Sequence, residues 1–549
     1  MRTFSAMNEV DERLHLLKKK IDGWRQRSFK EGHYDGVERR EPPPPPTKFH
    51  QGAAFFLVFV GYLFTQAARK ALSNVKSSLM KTWTAEDTEY GGKGDVKHAV
   101  FESEDSAEAY LGILDAIFMM GYAISLFISG RCGDFMAANK LFAWGMWISG
   151  ILLFLFGCVT EWAMFYSTAW YDITYFFFGL AQGLPKPVSV RVLAEWFPKA
   201  HYGKVIGLYT LSYCIGRIAG SYMSSAVLDY GYEYVFLLHA SVQIALGFVE
   251  YFGLVNSPKE IGCCSYVDDV SSTSPLANGT DEDLHHYKMH HTPPPPPKKL
   301  TPWRVLLLPG VLAYSLSYAG IKMVNYAITF WLPLYCTEEL GWSEKLSDML
   351  STFFDVGGLV GTLFVGLAWD RIPRGRNVLL VVLIFIAAAL LYAYSETPSI
   401  VVLNCAVLTV CGIFHWAVYN AEGAIASTSL APRGHAKDNV ISSVTGITNG
   451  FGSVAGAVAC VIVPLLETYC GWDSVFYFFT ITHVISGLFI MPLGWQELKE
   501  MRRRKQYEKF QDDNEFGNVL SGGRRATKPR INIVPTSMDD EEDDKYQVF

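Results

Sequence analysis

The chain has 549 residues and is 50% hydrophobic and 14% aromatic, yet only 18% charged, with a formal net charge of −6. A soluble protein of this length carries nearer a quarter charged residues, so the composition excludes that class and describes a membrane protein with many spans. No basic excess marks a nucleic-acid partner. The environment to expect is a lipid bilayer.

In chain order, residues 1–48 make a basic, proline-rich tail. Val10, Leu14, Leu17, Ile21 and Trp24 recur at three- and four-residue spacing among lysines and arginines, a pattern shared by a helix lying on a membrane surface, a solvated helix and a disordered tail. No apolar core of signal-peptide type precedes the first span, which therefore inserts the chain. Apolar runs follow near 50–72, 109–130, 139–160, 170–196, 204–228 and 234–255, then near 303–335, 347–369, 377–395, 399–421, 438–466 and 473–496. Each is close to the ~20 residues that cross ~30 Å of hydrocarbon. Segments 49–256 and 303–497 are then two six-helix bundles, joined by a linker at 257–302 and followed by an acidic tail at 498–549.

Short loops set the orientation. Arg131, Lys140, Lys199, Lys204, Arg371, Arg374, Arg376, Arg433 and Lys437 fall on one side, with Arg502 to Lys505 after the last span. That side is cytosolic, which puts both termini in the cytosol. Most cysteines sit in apolar runs without metal-ligand spacing and read as packing residues, so neither metal nor cofactor is expected. Cys336 and Cys470 share the non-cytosolic side, where a bridge between them is one option. Asn278 matches a glycosylation acceptor on the wrong side to be modified. The proline runs Pro42–Pro46 and Pro293–Pro297 are stiff spacers or ligands for proline-binding domains.

Each proline run precedes six spans, and the two halves align internally. Gly130-Arg-Cys-Gly-Asp134 matches Gly366-Leu-Ala-Trp-Asp370, and Gly216-Arg-Ile-Ala-Gly220 matches Gly452-Ser-Val-Ala-Gly456, both at an offset of 236 residues. Two matches at one offset indicate a duplicated unit. Asp134, Asp370 and Arg371 would latch helix ends on the cytosolic face and so serve gating.

Charge inside the bilayer costs on the order of 2.5–3.5 kcal/mol per residue on insertion scales, so it lines a wet cavity or is paired. Lys322 lies too deep in the seventh span to reach either surface and reads as a cavity residue or as a lysine paired with a carboxylate. Counted from the proline runs, Arg69 or Lys70 is its counterpart in the first span. Arg69, Lys70 and Lys322 would then clamp an anion, the guanidinium as a fork and the ammonium groups as point charges. Lys186 and Arg191 are candidate pathway cations in the fourth span, where Pro185 and Pro187 break the helix, with Arg191 alternatively placed to pair with Glu195. Arg217 in the fifth span is either a pathway cation or the partner of a buried acid such as Asp115 or Asp355. His415 is a proton carrier or a packing residue; Asp355 and Glu422 couple protons or balance the cations.

At these motifs the chain resembles the sugar-phosphate exchangers, solute carrier family 37, within the organophosphate/phosphate antiporters of the major facilitator superfamily. The resemblance runs from about Phe55 to Gln496 and is plainest at Arg69-Lys70-Ala-Leu-Ser-Asn-Val-Lys76, Phe330-Trp-Leu-Pro-Leu-Tyr335, Phe354-Asp-Val-Gly-Gly358 and Gly434-His-Ala-Lys437. It implies the all-α major facilitator fold of twelve transmembrane helices, phosphate binding at Arg69, Lys70 and Lys322, and exchange of a phosphorylated sugar such as glucose 6-phosphate for inorganic phosphate. It also favours the endoplasmic reticulum membrane over the lysosome or plasma membrane. Better-known members carry a histidine in the fifth span at or beside the position of Ser212, with Thr210, Tyr213 and Cys214 around it. Transport implies no enzyme activity. The rival readings are a proton-coupled organic-anion carrier working through His415, Asp355 or Glu422, and a membrane sensor or scaffold that recruits partners through its tails.

Overall fold

A computed structural model describes residues 44–84, 100–264, 306–372, 375–428 and 437–520. The proline run at 293–297, Asn278, the amphipathic stretch at 10–24 and the acidic end lie outside these residues. The chain divides into one compact unit ending at Gly494 and a second running from Trp495, which holds the end of the last helix.

Among the described residues the regular structure is helical. We label α1 as Lys48–Ala68 with its continuations Lys70–Ser73 and Lys76–Thr84, α2 as Glu104–Phe135, and α3 as Ala138–Leu153, prolonged by a wider turn at Phe154–Val159. Then come α4 (Thr168–Gly183 and Pro185–Trp196), α5 (Lys199–Val227), α6 (Tyr232–Gly253) and α7 (Val311–Glu338). The chain closes with α8 (Glu344–Ser351 and Phe353–Arg371), α9 (Arg376–Ser395), α10 (Val401–Thr428), α11 (Lys437–Cys470) and α12 (Trp472–Leu520).

Among the described residues, nine helices are long and apolar enough to cross a membrane. The three that fall short, α4, α5 and α7, carry Lys186, Arg217 and Lys322. Their polar content is what a helix lining a wet interior needs, at the cost of a weaker hydropathy signal.

Several ends differ from the sequence expectation. The first span continues to Thr84, so Arg69 and Lys70 stand in the body of the helix instead of at its end. The seventh begins at Val311, not near 303, behind Gly310, whose φ of 84° turns the chain into the helix. Cys336 and Cys470 are both free thiols, one buried and one exposed, so they form no bridge.

Helix pairing repeats when six is added to each label. α1 packs on α5 and α7 on α11; α2 packs on α4 and α8 on α10; across the halves, α2 meets α11 and α8 meets α5. The glycine pairs explain the first of these. A Cβ on Gly216 would meet the Leu63 carbonyl at 2.2 Å and one on Gly220 the Ala67 carbonyl at 2.6 Å, while Gly452 lies under the Lys322 stem and Gly456 under Tyr326. Without side chains at these points the helices close to backbone contact.

Two prolines shape the seam between halves. Pro333 inside α7 has no N–H for the Thr329 carbonyl, and that carbonyl instead accepts from Lys70 Nζ at 2.9 Å and Ser73 Oγ at 3.0 Å of α1. Pro464 inside α11 likewise leaves the Cys460 carbonyl, over which Gly112 of α2 lies so closely that a Cβ would come within 2.5 Å. Lys76 sits 3.2 Å from the centre of the Trp331 ring, while its own Nζ–Asp115 ion pair, 2.6 Å long and fully buried, stays within the first half. At the outer rim Ser78 Oγ donates to Glu344 at 2.5 Å and Lys345 pairs with Asp229.

All these contacts gather where α1 ends and α8 begins, and one apolar cluster runs through both halves there. At the opposite end the buried clusters each stay within one half, around Val58, Tyr62 and Trp196 or around Val311 and Val444. The gathered end is closed. Gly112→Ala is therefore expected to prise it open, because overpacking at a rigid backbone contact costs on the order of 1–3 kcal/mol. Thiol labelling of buried Cys336, followed site by site by mass spectrometry, should quicken about tenfold.

Candidate functional site: a cationic cavity walled by tyrosines

Between the halves, next to the closed seam, a small cavity is lined by α1 (Gln66, Arg69), α2 (Tyr122), α4 (Lys186) and α5 (Tyr213, Arg217). From the other half come Asn325, Tyr326, Thr329 and Phe330 on one face of α7, and Trp416 and Tyr419 on α10.

Arg69 reaches the cavity because α1 tightens there. Val75 N–H bonds to the Leu72 carbonyl three residues back instead of four, and the helix is interrupted at Arg69 and again at Asn74. Its guanidinium, 5% exposed, donates from Nε to Gln182 Oε1 at 3.1 Å and from Nη2 to the Gln182 carbonyl at 3.0 Å. That carbonyl closes the first piece of α4, whose second piece restarts at Pro185, so Arg69 binds the negative end of a helix dipole. The Tyr122 ring lies 4.4 Å beneath the guanidinium. No carboxylate stands within ion-pair distance of Arg69 among the described residues.

Lys186 begins that second piece of α4, 5.5 Å from the Tyr213 ring, and it too has no acid partner among the described residues. Arg217 is different. Its Nε lies 3.2 Å from Asp355 Oδ1 of α8 without hydrogen-bond geometry, its Nη1 donates to Asn325 Oδ1 at 3.5 Å, and the Trp416 ring lies 5.4 Å away. The first half thus supplies the cations, two of them uncompensated, together with Tyr122 and Tyr213, and the second half supplies the rest of the aromatic wall and the Asn325 amide. Such a site can hold an anion by its charge and a hydroxylated ring by stacking and hydrogen bonds.

Comparison with known proteins fits this arrangement. The family model described as Major Facilitator Superfamily matches residues 58–459. Sugar phosphate exchanger 3 of Homo sapiens is 36% identical over 471 residues, covering 83% of this chain and 95% of that protein. The chain belongs to the sugar-phosphate exchanger family. Its relative from Bos taurus, glucose-6-phosphate exchanger SLC37A2, is 26% identical over 81% of this chain and 94% of its own length. The crystal structure of a D-xylose-proton symporter shares the fold, with a TM-score of 0.58 over 80% of this chain and 97% of that one at 15% identity. The protein is accordingly a multi-pass membrane transporter of the major facilitator superfamily.

In this exchanger-family chain the expected site residues distribute unevenly. Arg69, Lys186 and Arg217 line the cavity; Lys70 and Lys322 do not. Lys70 is drawn off to the carbonyl freed by Pro333. Lys322 donates to the Asn449 carbonyl at 3.2 Å and to Ser453 Oγ at 3.1 Å of α11, and acts on Arg69 and Lys186 only through space. The matching heights expected for Arg69 and Lys322 are not what the packing gives. Leu63 and Ala67 occupy under α5 the places that Lys322 and Tyr326 occupy under α11, an offset of 259 residues that carries Arg69 onto Ile328, well past Lys322. Counting from the proline runs missed this because α7 starts later than its apolar run.

Ser212 does not face the cavity either: its hydroxyl donates to the Tyr209 carbonyl of its own helix, and Tyr213 lines the wall in its place. Asp355, not Asp115, is the partner of Arg217, since Asp115 holds Lys76. Arg191 pairs with Glu195 at 3.5 Å. Glu422 is buried and accepts from Ser317 at 2.5 Å, away from the cavity lining. Arg371 is exposed, and the side chains of Asp134 and Asp370 lie outside those described. His415 is no lone histidine. Its Nδ1 lies 3.1 Å from His483 Nε2 and its Nε2 lies 3.2 Å from Asn325 Nδ2. Asn325, Gln182, His483, Tyr122, Tyr326 and Tyr419 escaped the sequence reading, and Tyr213 entered it only as a neighbour of Ser212; a second buried histidine in the last apolar run was the available signal.

Proposed function

We propose that the chain is an alternating-access antiporter that exchanges a phosphorylated sugar, of the glucose 6-phosphate kind, for inorganic phosphate. The observation that carries this is a pair of uncompensated cations, Arg69 and Lys186, facing an aromatic wall across one cavity. A phosphate would be taken by the Arg69 fork and the Lys186 ammonium, with Arg217 as third cation and Lys322 adding to the positive field. Tyr122, Tyr213, Tyr326, Tyr419 and Trp416 suit a sugar ring, offering faces to its C–H edges and hydroxyls to its own. The relatives named for sugar phosphate and glucose 6-phosphate exchange support the same reading.

Both halves would rock about this cavity as two six-helix bundles, 49–256 and 303–497. With both termini in the cytosol, the closed seam faces away from it and the carrier is in its cytosol-facing state. An empty cavity keeps its excess positive charge and resists the switch; either anion relieves it, which makes exchange obligatory. The endoplasmic reticulum membrane is the compartment that the family resemblance favours.

Proteoliposomes loaded with phosphate should take up labelled glucose 6-phosphate at least about tenfold faster than empty ones, the ratio that a coupling of order 1.4 kcal/mol gives. Equal uptake from both would sink obligatory exchange. Uptake driven by a pH gradient without internal phosphate would point instead to a proton-coupled carrier.

A further inference from the structure

One hydrogen-bonded chain runs from Arg217, the third cation of the cavity, into the core of the second half and ends on two histidines with no task in the site described above. Arg217 Nη1 meets Asn325 Oδ1, Asn325 Nδ2 meets His415 Nε2, His415 Nδ1 meets His483 Nε2, and His483 Nδ1 meets the Phe479 carbonyl at 3.0 Å. All four side chains are buried, and His415 and His483 are fully so.

The direction of every bond in this chain can be fixed from either end. A carbonyl only accepts, so His483 Nδ1 carries a hydrogen; in a neutral ring its Nε2 then accepts, His415 Nδ1 donates, and His415 Nε2 accepts from the Asn325 amide. From the other end, a guanidinium only donates, so Asn325 must turn its oxygen to Arg217 and its NH2 to His415. Both ends demand the same polarity. A proton added to either imidazole would set two donors face to face and break the chain at that link.

Among the described residues, neither imidazole has a hydrogen-bond partner outside this chain. Asp355, the carboxylate nearest to it, is engaged with Arg217, and the Phe354 ring packs on His415 at 5.4 Å between centroids. Resting on the anion site argued above, we propose that His483 is a positioning residue: acting through His415 and Asn325, it aims the Arg217 guanidinium into the cavity, with both imidazoles neutral. The histidine pair, in this assignment, sets geometry and relays no proton.

Phosphate–phosphate exchange in proteoliposomes of the full chain tests this, with KM and Vmax read separately. His483→Phe keeps ring volume but removes the acceptor for His415, and should raise the phosphate KM about tenfold, as one lost buried hydrogen bond does, with Vmax within about twofold. His483→Gln keeps an acceptor and a donor and should return KM to within about threefold of the parent. In an Asn325→Ala background, itself raised about tenfold, His483→Phe should add less than about twofold, because both act on one chain. Multiplied effects in the double variant, equal behaviour of the Phe and Gln variants, or uptake by the parent accelerated severalfold by an imposed pH gradient would each overturn the proposal. No phosphate exchange by the parent would instead overturn the antiporter reading itself.

Discussion

Arg69→Ala is expected to cut phosphate exchange by about 100-fold or more, and Arg69→Lys to rescue little of it. Two charge-assisted hydrogen bonds fix the guanidinium against Gln182, and a hydrogen bond of that kind contributes roughly 1.5–3 kcal/mol. The same plane stacks on Tyr122. An ammonium can make neither the fork nor the stack, so restoring charge alone does not restore geometry. Lys322→Ala should be milder, about tenfold, because its ammonium is spent on α11 and reaches the anion only through space. Lys70→Ala should act on the seam and so change turnover more than phosphate KM. Initial exchange rates per reconstituted protein, beside thermal midpoints, separate these cases. Near-normal exchange by Arg69→Lys would leave only a charge at this position and sink the fork.

That order of effects differs from the clamp of Arg69, Lys70 and Lys322 read from the sequence, and the difference is instructive. Composition, apolar run length and the offset of 236 residues announced the major facilitator plan, because bilayer thickness imposes helix length and duplication leaves a repeat. The depth of a charge was legible for the same reason. Which way a buried lysine points was not. Lys70 turns to a carbonyl that exists as an acceptor only because Pro333 stands four residues on, and Lys322 lies along Gly452 of another helix. Both depend on pairs distant in sequence. Helix phase was a second loss: moving the start of α7 from about 303 to Val311 slid Lys322 off the level of Arg69 and brought Asn325 to the cavity. Aromatic lining was a third, since Tyr122, Tyr213, Tyr326 and Tyr419 read in sequence like any of the 29 tyrosines.

Arg217 and Asp355 carry the other large expectation. They face each other at cavity level from α5 and α8, on opposite halves, so the pair both balances a buried cation and ties the halves together. An incoming phosphate meets a guanidinium that Asp355 already holds, but without hydrogen-bond geometry. Competition between the two acids for Arg217 gives a physical link between binding and release of the tie. Asp355→Asn removes the competitor while keeping its shape, so phosphate should bind about tenfold tighter, lowering KM, while slower release lowers Vmax. Asp355→Leu leaves the cation stranded, and breaking a buried pair costs about 3–5 kcal/mol, so its thermal midpoint should drop sharply. Adding Arg217→Met to that variant removes the stranded charge and should recover the midpoint, yet exchange should stay about 100-fold down because the third cation of the site is gone. Full exchange by this stable double variant would reduce the pair to a structural tie. A KM unchanged in Asp355→Asn would show that substrate and Asp355 do not compete for the same arginine.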